Sequence, residues 1–282
     1  MGNISAKINK QGDKMDYAKI FDNIVNSFKD AFNKTGAENA VVGISGGIDS
    51  ALTSAAAVKA LGKERVKGFF MPYKTSSEHS YLDALKLSEK YGFKLEVVNI
   101  SPAADAFIDM FNNLTPLRKG NIMARCRMIV LFDKAAEHNG IVAGTSNRTE
   151  LLLGYGTWYG DTASGINVVG ELYKREVYGA GQAAGVPESI MRKAPTADLW
   201  PGQTDEQELG FTYELLDNIL YDIEQNNFSK NELYKKYDKE SVDKIIKRVI
   251  SSSFKRSTPF ICHSGIDKRE KINENIFLNL DK

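Results

Sequence analysis

The chain has 282 residues, 42% of them apolar and 26% charged, and its 37 basic and 36 acidic side chains leave a net charge of +1. This suits one sizeable globular domain and leaves no basic field for nucleic acid and no acidic tail for a basic partner. Cys126 and Cys262 lack the spacing of a metal site or a disulfide framework. No apolar run long enough to span a membrane occurs, and the polar N-terminus lacks a signal-peptide core, so a cytoplasmic protein with reduced thiols is expected.

Residues 1–14 are polar. From Asp16 onward Ile20, Phe21, Ile24, Phe28 and Phe32 recur at helical spacing, which predicts an amphipathic first helix. Short apolar runs then alternate with amphipathic segments. Ala40–Ile44, Val66–Met71, Leu95–Ile100 and Ile141–Gly144 read as buried strands, and about 50–61, 78–91, 102–112 and 120–138 read as helices. That alternation predicts an α/β fold: a doubly wound, mainly parallel sheet with helices on both faces. The stretch 153–173 reads as a Gly- and Tyr-rich loop with a short strand at 166–169. A helix follows at 174–184, then a long loop at 193–208, and a helical, charged C-terminal part from Phe211 to Ile250. The expected organisation is a single unit with an α/β core over 15–200 and a helical part over 201–282. Ligands of such sheets bind beyond the carboxyl ends of the strands, so chemistry is sought just after each one.

The first strand runs into Gly43-Ile44-Ser45-Gly46-Gly47-Ile48-Asp49-Ser50 and then into a helix. Glycines let the backbone approach an anion closely, and free N–H groups at a helix start attract phosphate. The lysine of a P-loop is missing. Asp49 would repel a pyrophosphate unless a cation sat between them, and no lysine lies nearby in sequence, so Asp49 reads as a Mg²⁺ ligand.

Ser45–Ser50 resembles the SGGxDS pyrophosphate loop of the N-type ATP pyrophosphatases. Four further segments narrow the resemblance to the NAD synthetases: Asn121–Met128 (NIMARCRM), Gly144–Glu150 (GTSNRTE), Tyr159–Asp161 (YGD) and Lys193–Leu199 (KAPTADL). The resemblance implies an adenine nucleotide alpha hydrolase-like fold. It also implies a ligase that amidates deamido-NAD with ammonia, consuming ATP through an acyl-adenylate with Mg²⁺ as cofactor. It assigns ATP to residues 43–50, Thr145, Lys174 and Thr196, and Mg²⁺ to Asp49 and Glu150. Dinucleotide contacts fall to Arg125 and Lys255, and a role in holding or deprotonating ammonia falls to Asp161. A homodimer is implied, with 120–138 and 211–226 as interface helices. The length leaves no room for an amidase domain, so free ammonia is the expected nitrogen source.

From the residues themselves, Arg125 shares a helix face with Ile122 and Ile129, and that face is expected to turn toward the sheet and the cleft. Lys174 opens a helix, where a cation opposes the dipole and needs compensation; an ATP phosphate is the expected source. Loops near 75–80 and 195–207 are expected to close over the site and exclude water. The chain departs from many NAD synthetases at Trp158, Gly165 and Phe254, where those have Lys, Asp and His. The strings LLLGYGTWYGDTASGIN and ADLWPGQTDEQELGF resemble a branch that shares these changes, which implies an alternative pocket in which Trp158 stacks on a ring. A tRNA-modifying relative would need a basic surface or paired cysteines, and neither is present.

Overall fold

The computed structural model describes residues 15–196 and 204–262. Its helices are α1 (Tyr17–Asn33), α2 (Ile48–Leu61), α3 (Glu78–Tyr91), α4 (Ser101–Asp109), α5 (Pro116–Glu137), α6 (Arg148–Leu153), α7 (Lys174–Ala184), α8 (Glu188–Met191), α9 (Asp205–Leu209), α10 (Tyr213–Glu224), α11 (Lys230–Lys236) and α12 (Lys239–Ser251). The strands are β1 (Asn39–Gly43), β2 (Val66–Phe70), β3 (Lys94–Val97), β4 (Gly140–Gly144) and β5 (Ile166–Asn167). They form one sheet in the order β3-β2-β1-β4-β5, and every pairing is parallel.

Alternation along β1 supplies both cores. Ala40, Val42 and Ile44 pack with Phe21, Phe28, Phe32, Leu52 and Val177 of α1, α2 and α7. Val41 points the other way and joins Phe69, Val142 and the α5 residues Met123 and Cys126. A third cluster joins Leu153 and Tyr173 to Leu216, Ile219, Leu233, Val242 and Ile245 of the C-terminal helices.

The expected elements are present, with shifted ends. α1 starts where Asp16 accepts from Lys19 N–H at 3.0 Å, a side-chain N-cap. β3 stops at Val97 rather than Ile100, and α4 begins at Ser101 with Pro102 in its first turn. α5 begins at Pro116, earlier than 120, because Thr115 caps it. The C-terminal stretch breaks into three helices at the caps Thr212, Ser229 and Asp238.

The chain leaves β1 toward β2 and β3, then returns to place β4 on the other side of β1. The order of strands therefore reverses between β1 and β4. Their carboxyl ends lie side by side, with Val42 opposite Ala143, and the loops that follow must diverge there and leave a crevice.

Candidate active site

A cleft of about 710 Å³ opens at this crevice and is lined by Gly43–Ser45, Gly47–Ser50, Thr145, Glu150, Asp161, Lys174, Thr196 and Lys255, among others. Gly46 is the one residue of the 43–50 turn that turns its back on the cleft. Its φ is +75°, and a Cβ there would meet the carbonyl oxygen of Ser80 at 2.5 Å, so the turn needs glycine for both conformation and clearance. Two serines close the turn on itself. Ser50 Oγ donates to Gly47 O at 3.0 Å and accepts from Ser45 N–H at 3.2 Å, and Ser45 Oγ accepts from Gly47 N–H at 3.2 Å.

Asp49 lies in the first turn of α2, and Glu150 in the first turn of α6. Asn147 joins them. Its Nδ2 donates to Asp49 Oδ1 at 2.9 Å, while its side chain and backbone form a reciprocal capping box with Glu150. Lys174 Nζ sits between the two acids, 2.7 Å from Asp49 Oδ2 and 3.2 Å from Glu150 Oε1, with only 4% of its side chain exposed. This corrects two expectations. A lysine does stand beside Asp49, brought there by the fold from a distant position, and it is these carboxylates that offset the charge of Lys174 at its helix start.

Electrostatics follow from the geometry. For Lys174 burial acts downward, but the attraction of Asp49 and Glu150 outweighs it and holds the ammonium above its ordinary range. Unit charges about 4 Å apart interact by about 4 kcal/mol at an effective dielectric near 20, enough for the acids to outweigh the burial of one ammonium. Burial pushes the Glu150 carboxyl up to about 7, with the Lys174 charge opposing and the Asp49 charge assisting. Tyr213 OH stands 3.4 Å from Glu150 Oε1 and donates to Asp205 Oδ2 at 3.1 Å. Tyr155 OH lies 3.0 Å from Asp205 Oδ1 and 2.6 Å from Glu208 Oε2. Burial raises the Asp205 carboxyl. This corner of the cleft thus holds four acids, Asp49, Glu150, Asp205 and Glu208, around one buried ammonium.

The other end of the cleft is built from the loop after α6. Asp161, exposed at the mouth, accepts from Thr157 N–H at 2.6 Å. Lys255 Nζ donates to Gly154 O and Gly156 O, each at 2.8 Å, and burial lowers its ammonium, with Asp161 opposing. Trp158 lies beyond the cleft lining. It stacks on Tyr159 with centroids 4.5 Å apart and meets Phe254 edge-on at 5.2 Å. Gly165 packs against Ile141, and a Cβ there would come within 2.3 Å of its Cγ1, so a side chain at this position would require Ile141 to move.

The expected orientation of α5 is met only in part. Arg125 is exposed, and its Nη2 donates to Trp158 O at 3.1 Å; Ile129 on the same face is 54% exposed. Arg127, with Asn121, Ala124 and Leu131, faces the cleft instead, and its Nε donates to Met71 O at 2.9 Å. The inward side of α5 carries small and flexible residues, Gly120, Met123, Ala124 and Cys126, which let the helix approach the sheet; Ile122 packs beside them as expected, while Ile129 and Arg125 turn outward. Asn147, Asp205, Glu208, Tyr155 and Tyr213 also escaped the sequence reading. Asn147 carried a usable signal, since Asn147-x-x-Glu150 is a capping-box pattern. The PTADL residues after Thr196, and much of the 195–207 loop expected to close, lie outside the described residues.

A parallel sheet whose strand order reverses at a glycine turn, with a helix start and an acid–lysine cluster at the crevice, is the architecture of the nucleotide-binding α/β proteins. A family model for NAD synthase matches residues 20–259, and the chain belongs to that family. It is 47% identical over 239 residues to the NH(3)-dependent NAD(+) synthetase of Trichlorobacter lovleyi, covering 84% of this chain and 88% of that one. Among solved structures it resembles an NMN synthetase from Francisella tularensis, with 34% identity, TM-score 0.78 and coverage of 89% and 100% of the two chains. It also resembles the NH3-dependent NAD synthetase of Campylobacter jejuni in complex with the nitrate ion, with 32% identity, TM-score 0.75 and coverage of 88% and 100%. The fold is that of the NAD synthetases. The chain is a ligase that uses ATP and amidates deamido-NAD with ammonia to give NAD.

Proposed function

We propose that the amidation runs through an acyl-adenylate and that the acid–lysine cluster at the β1–β4 crevice drives its first step. A carboxylate does not react with ammonia directly, because an oxide is a poor leaving group. In the first step a carboxylate oxygen of deamido-NAD attacks the α-phosphorus of ATP, and the bond to the bridging oxygen breaks with its electrons leaving on pyrophosphate. In the second step ammonia attacks the acyl carbon, loses a proton, and expels AMP. The N–H groups of the 45–50 turn and the α2 start receive the phosphates, and Lys174 neutralises the departing pyrophosphate. Thr145 and Thr196 line the same cleft and contact ATP. Asp161 at the mouth holds the ammonia or takes up the proton that it sheds on attack. The observation that carries this reading is the Lys174 ammonium held between Asp49 and Glu150.

Asp49 and Glu150 fit a Mg²⁺ ion. Both are carboxylates on facing helix starts, within reach of one ammonium, and Mg²⁺ is held by one or two carboxylates completed by phosphate and water oxygens. When bound, the ion would neutralise triphosphate charge that Lys174 alone cannot. Among the described residues no group of three or more His, Cys, Asp or Glu side chains is placed to hold a metal ion.

For the dinucleotide we propose Lys255 inside the cleft and Arg125 with Trp158 at its rim. Support comes from the Arg125 bond to Trp158 O and from the aromatic group around Trp158. We treat 15–200 and 201–282 as one functional unit, because from beyond position 200 Tyr213 reaches Glu150 and Asp205 accepts from Tyr155 OH. A homodimer is supported by exposed apolar residues just past α4 and along α5, where Met110, Leu117, Ile129 and Phe132 are 68%, 65%, 54% and 44% exposed. The other expected interface helix, 211–226, turns its apolar face inward instead. A cytoplasmic location is supported by the two free cysteines; among the described residues no helix is long and apolar enough to cross a membrane.

Incubation with ATP, Mg²⁺, deamido-NAD and ammonium tests the mechanism. NAD and AMP should form in equal amounts, and Asp49→Ala should form neither; NAD arising with ADP and phosphate would exclude the adenylate. Isotope-labelled glutamine should leave NAD unlabelled. The likeness to an NMN synthetase supports a second reading, in which the mononucleotide is also amidated, and comparing kcat/KM for the two acids decides between them.

A further inference from the structure

We propose that Asp217 of α10 is a positioning residue for the reaction, holding two helix starts so that Lys174 and Glu150 face each other in the cleft. This rests on the reading of the Lys174–Glu150 pair given above. Asp217 is fully buried and does not line the cleft. Its Oδ1 accepts from Thr149 Oγ1 at 2.5 Å and its Oδ2 from Arg175 N–H at 2.8 Å. Thr149 Oγ1 in turn accepts from Lys174 N–H at 3.1 Å. One carboxylate therefore reaches the neighbour of Glu150 on α6 and Arg175 on α7 directly, and Lys174 N–H through Thr149. Since both helix starts carry partial positive charge, a carboxylate suits the place better than a neutral group of the same shape.

The surrounding contacts repeat the pattern. Glu224, later on the same helix, takes Arg148 in a two-bond fork at 2.7 and 2.6 Å and accepts from Tyr173 OH at 2.5 Å. Residues 148, 149, 173 and 175 are thus held by α10, while 150 and 174, set among them, point into the cleft. A staple needed only for folding has no reason to converge on the neighbours of these two residues. A displacement on the order of 1 Å in a charge that stabilises a leaving group can cost about 100-fold in rate.

Asp217→Asn tests the idea, because the amide keeps the shape and can still accept from Arg175 N–H. Steady-state kinetics on ATP, deamido-NAD and ammonium are measured with the thermal midpoint, beside Thr149→Val, the double variant and Lys174→Met. The expected result is a kcat lower by about 10- to 100-fold with the KM for deamido-NAD and the midpoint near the parent values. The double variant should be no worse than the more impaired single one, since both substitutions cut one path. A folded Asp217→Asn enzyme with parental kcat overturns the proposal, and so does a loss that only tracks the folded fraction, or additive losses in the double variant. Should Asp217→Asn fail to fold, Thr149→Val decides alone: parental kcat overturns the proposal, and reduced kcat at unchanged midpoint supports it. Parental activity in Lys174→Met would instead overturn the reading of the pair itself, whatever Asp217→Asn does.

Discussion

Lys174 Nζ lies 2.7 Å from Asp49 Oδ2, although 125 positions separate the two residues in the chain. The contact joins the first turn of α2, which follows β1, to the first residue of α7, which follows β5. Two helix starts meet at one point, one bringing an acid and the other a base, and the charge balance of the cleft is set there.

Replacing Lys174 with Met leaves Asp49 and Glu150 facing each other with no ammonium between them. Removing one partner of a buried ion pair costs about 3–5 kcal/mol, and loss of a fixed charge that stabilises the leaving group lowers kcat by about 100-fold or more. Mg²⁺ should raise the thermal midpoint of Lys174→Met more than that of the parent. Thermal melts with and without Mg²⁺ check this, and equal responses in both proteins would count against a metal on these two acids.

Gly46→Ala should weaken ATP binding and destabilise the fold together. The added Cβ meets the Ser80 carbonyl oxygen at 2.5 Å from a backbone with φ of +75°, and neither backbone segment can yield cheaply. A cost of about 1–3 kcal/mol is expected for overpacking of this kind, with a higher KM for ATP and an unchanged KM for deamido-NAD. Urea unfolding and initial rates provide the comparison.

Stability should depend on pH through Asp205. Burial raises its carboxyl above the ordinary range in the fold. Its favourable contribution is therefore complete below the unfolded value near 3.9 and is lost as pH rises through the higher folded value. Asp205→Asn cannot ionise and escapes that loss. Its midpoint relative to the parent should improve as pH rises from the unfolded value near 3.9 through the raised folded one, and a difference that stays constant with pH would contradict the assignment.

Ile129→Glu probes the exposed stripe on α5. Ile129 is 54% exposed in the single chain, so the substitution should leave an isolated subunit stable while placing charge in an apolar interface. Light scattering after size-exclusion chromatography should give a dimer mass for the parent and a monomer mass for the variant. A monomeric parent would remove the basis for the dimer.

Local sequence carried much of the fold because its signals act over short distances. The continuous apolar run Ala40–Ile44 identified β1, the spacing of Phe21, Phe28 and Phe32 identified α1, and the 43–50 turn was legible from its glycines beside a helix start. Thr145, Glu150, Lys174, Thr196 and Lys255 line the same cleft as that turn. Arg125 does not, because the face a helix buries depends on which side can approach the sheet, and Gly120 and Ala124 decided that for α5.

What the sequence determined by itself was therefore the set of elements, the pyrophosphate turn and the motif segments that mark the family, all readable from neighbours in the chain. Only the tertiary structure decided which charges meet. The return of the chain from β3 to β4 brings Asn147 and Glu150 to Asp49, α7 then delivers Lys174, and α10 closes behind them with Asp217. Coulombic and hydrogen-bonding contacts of this kind act over a few ångströms in space whatever the separation along the chain, so no local pattern could announce them.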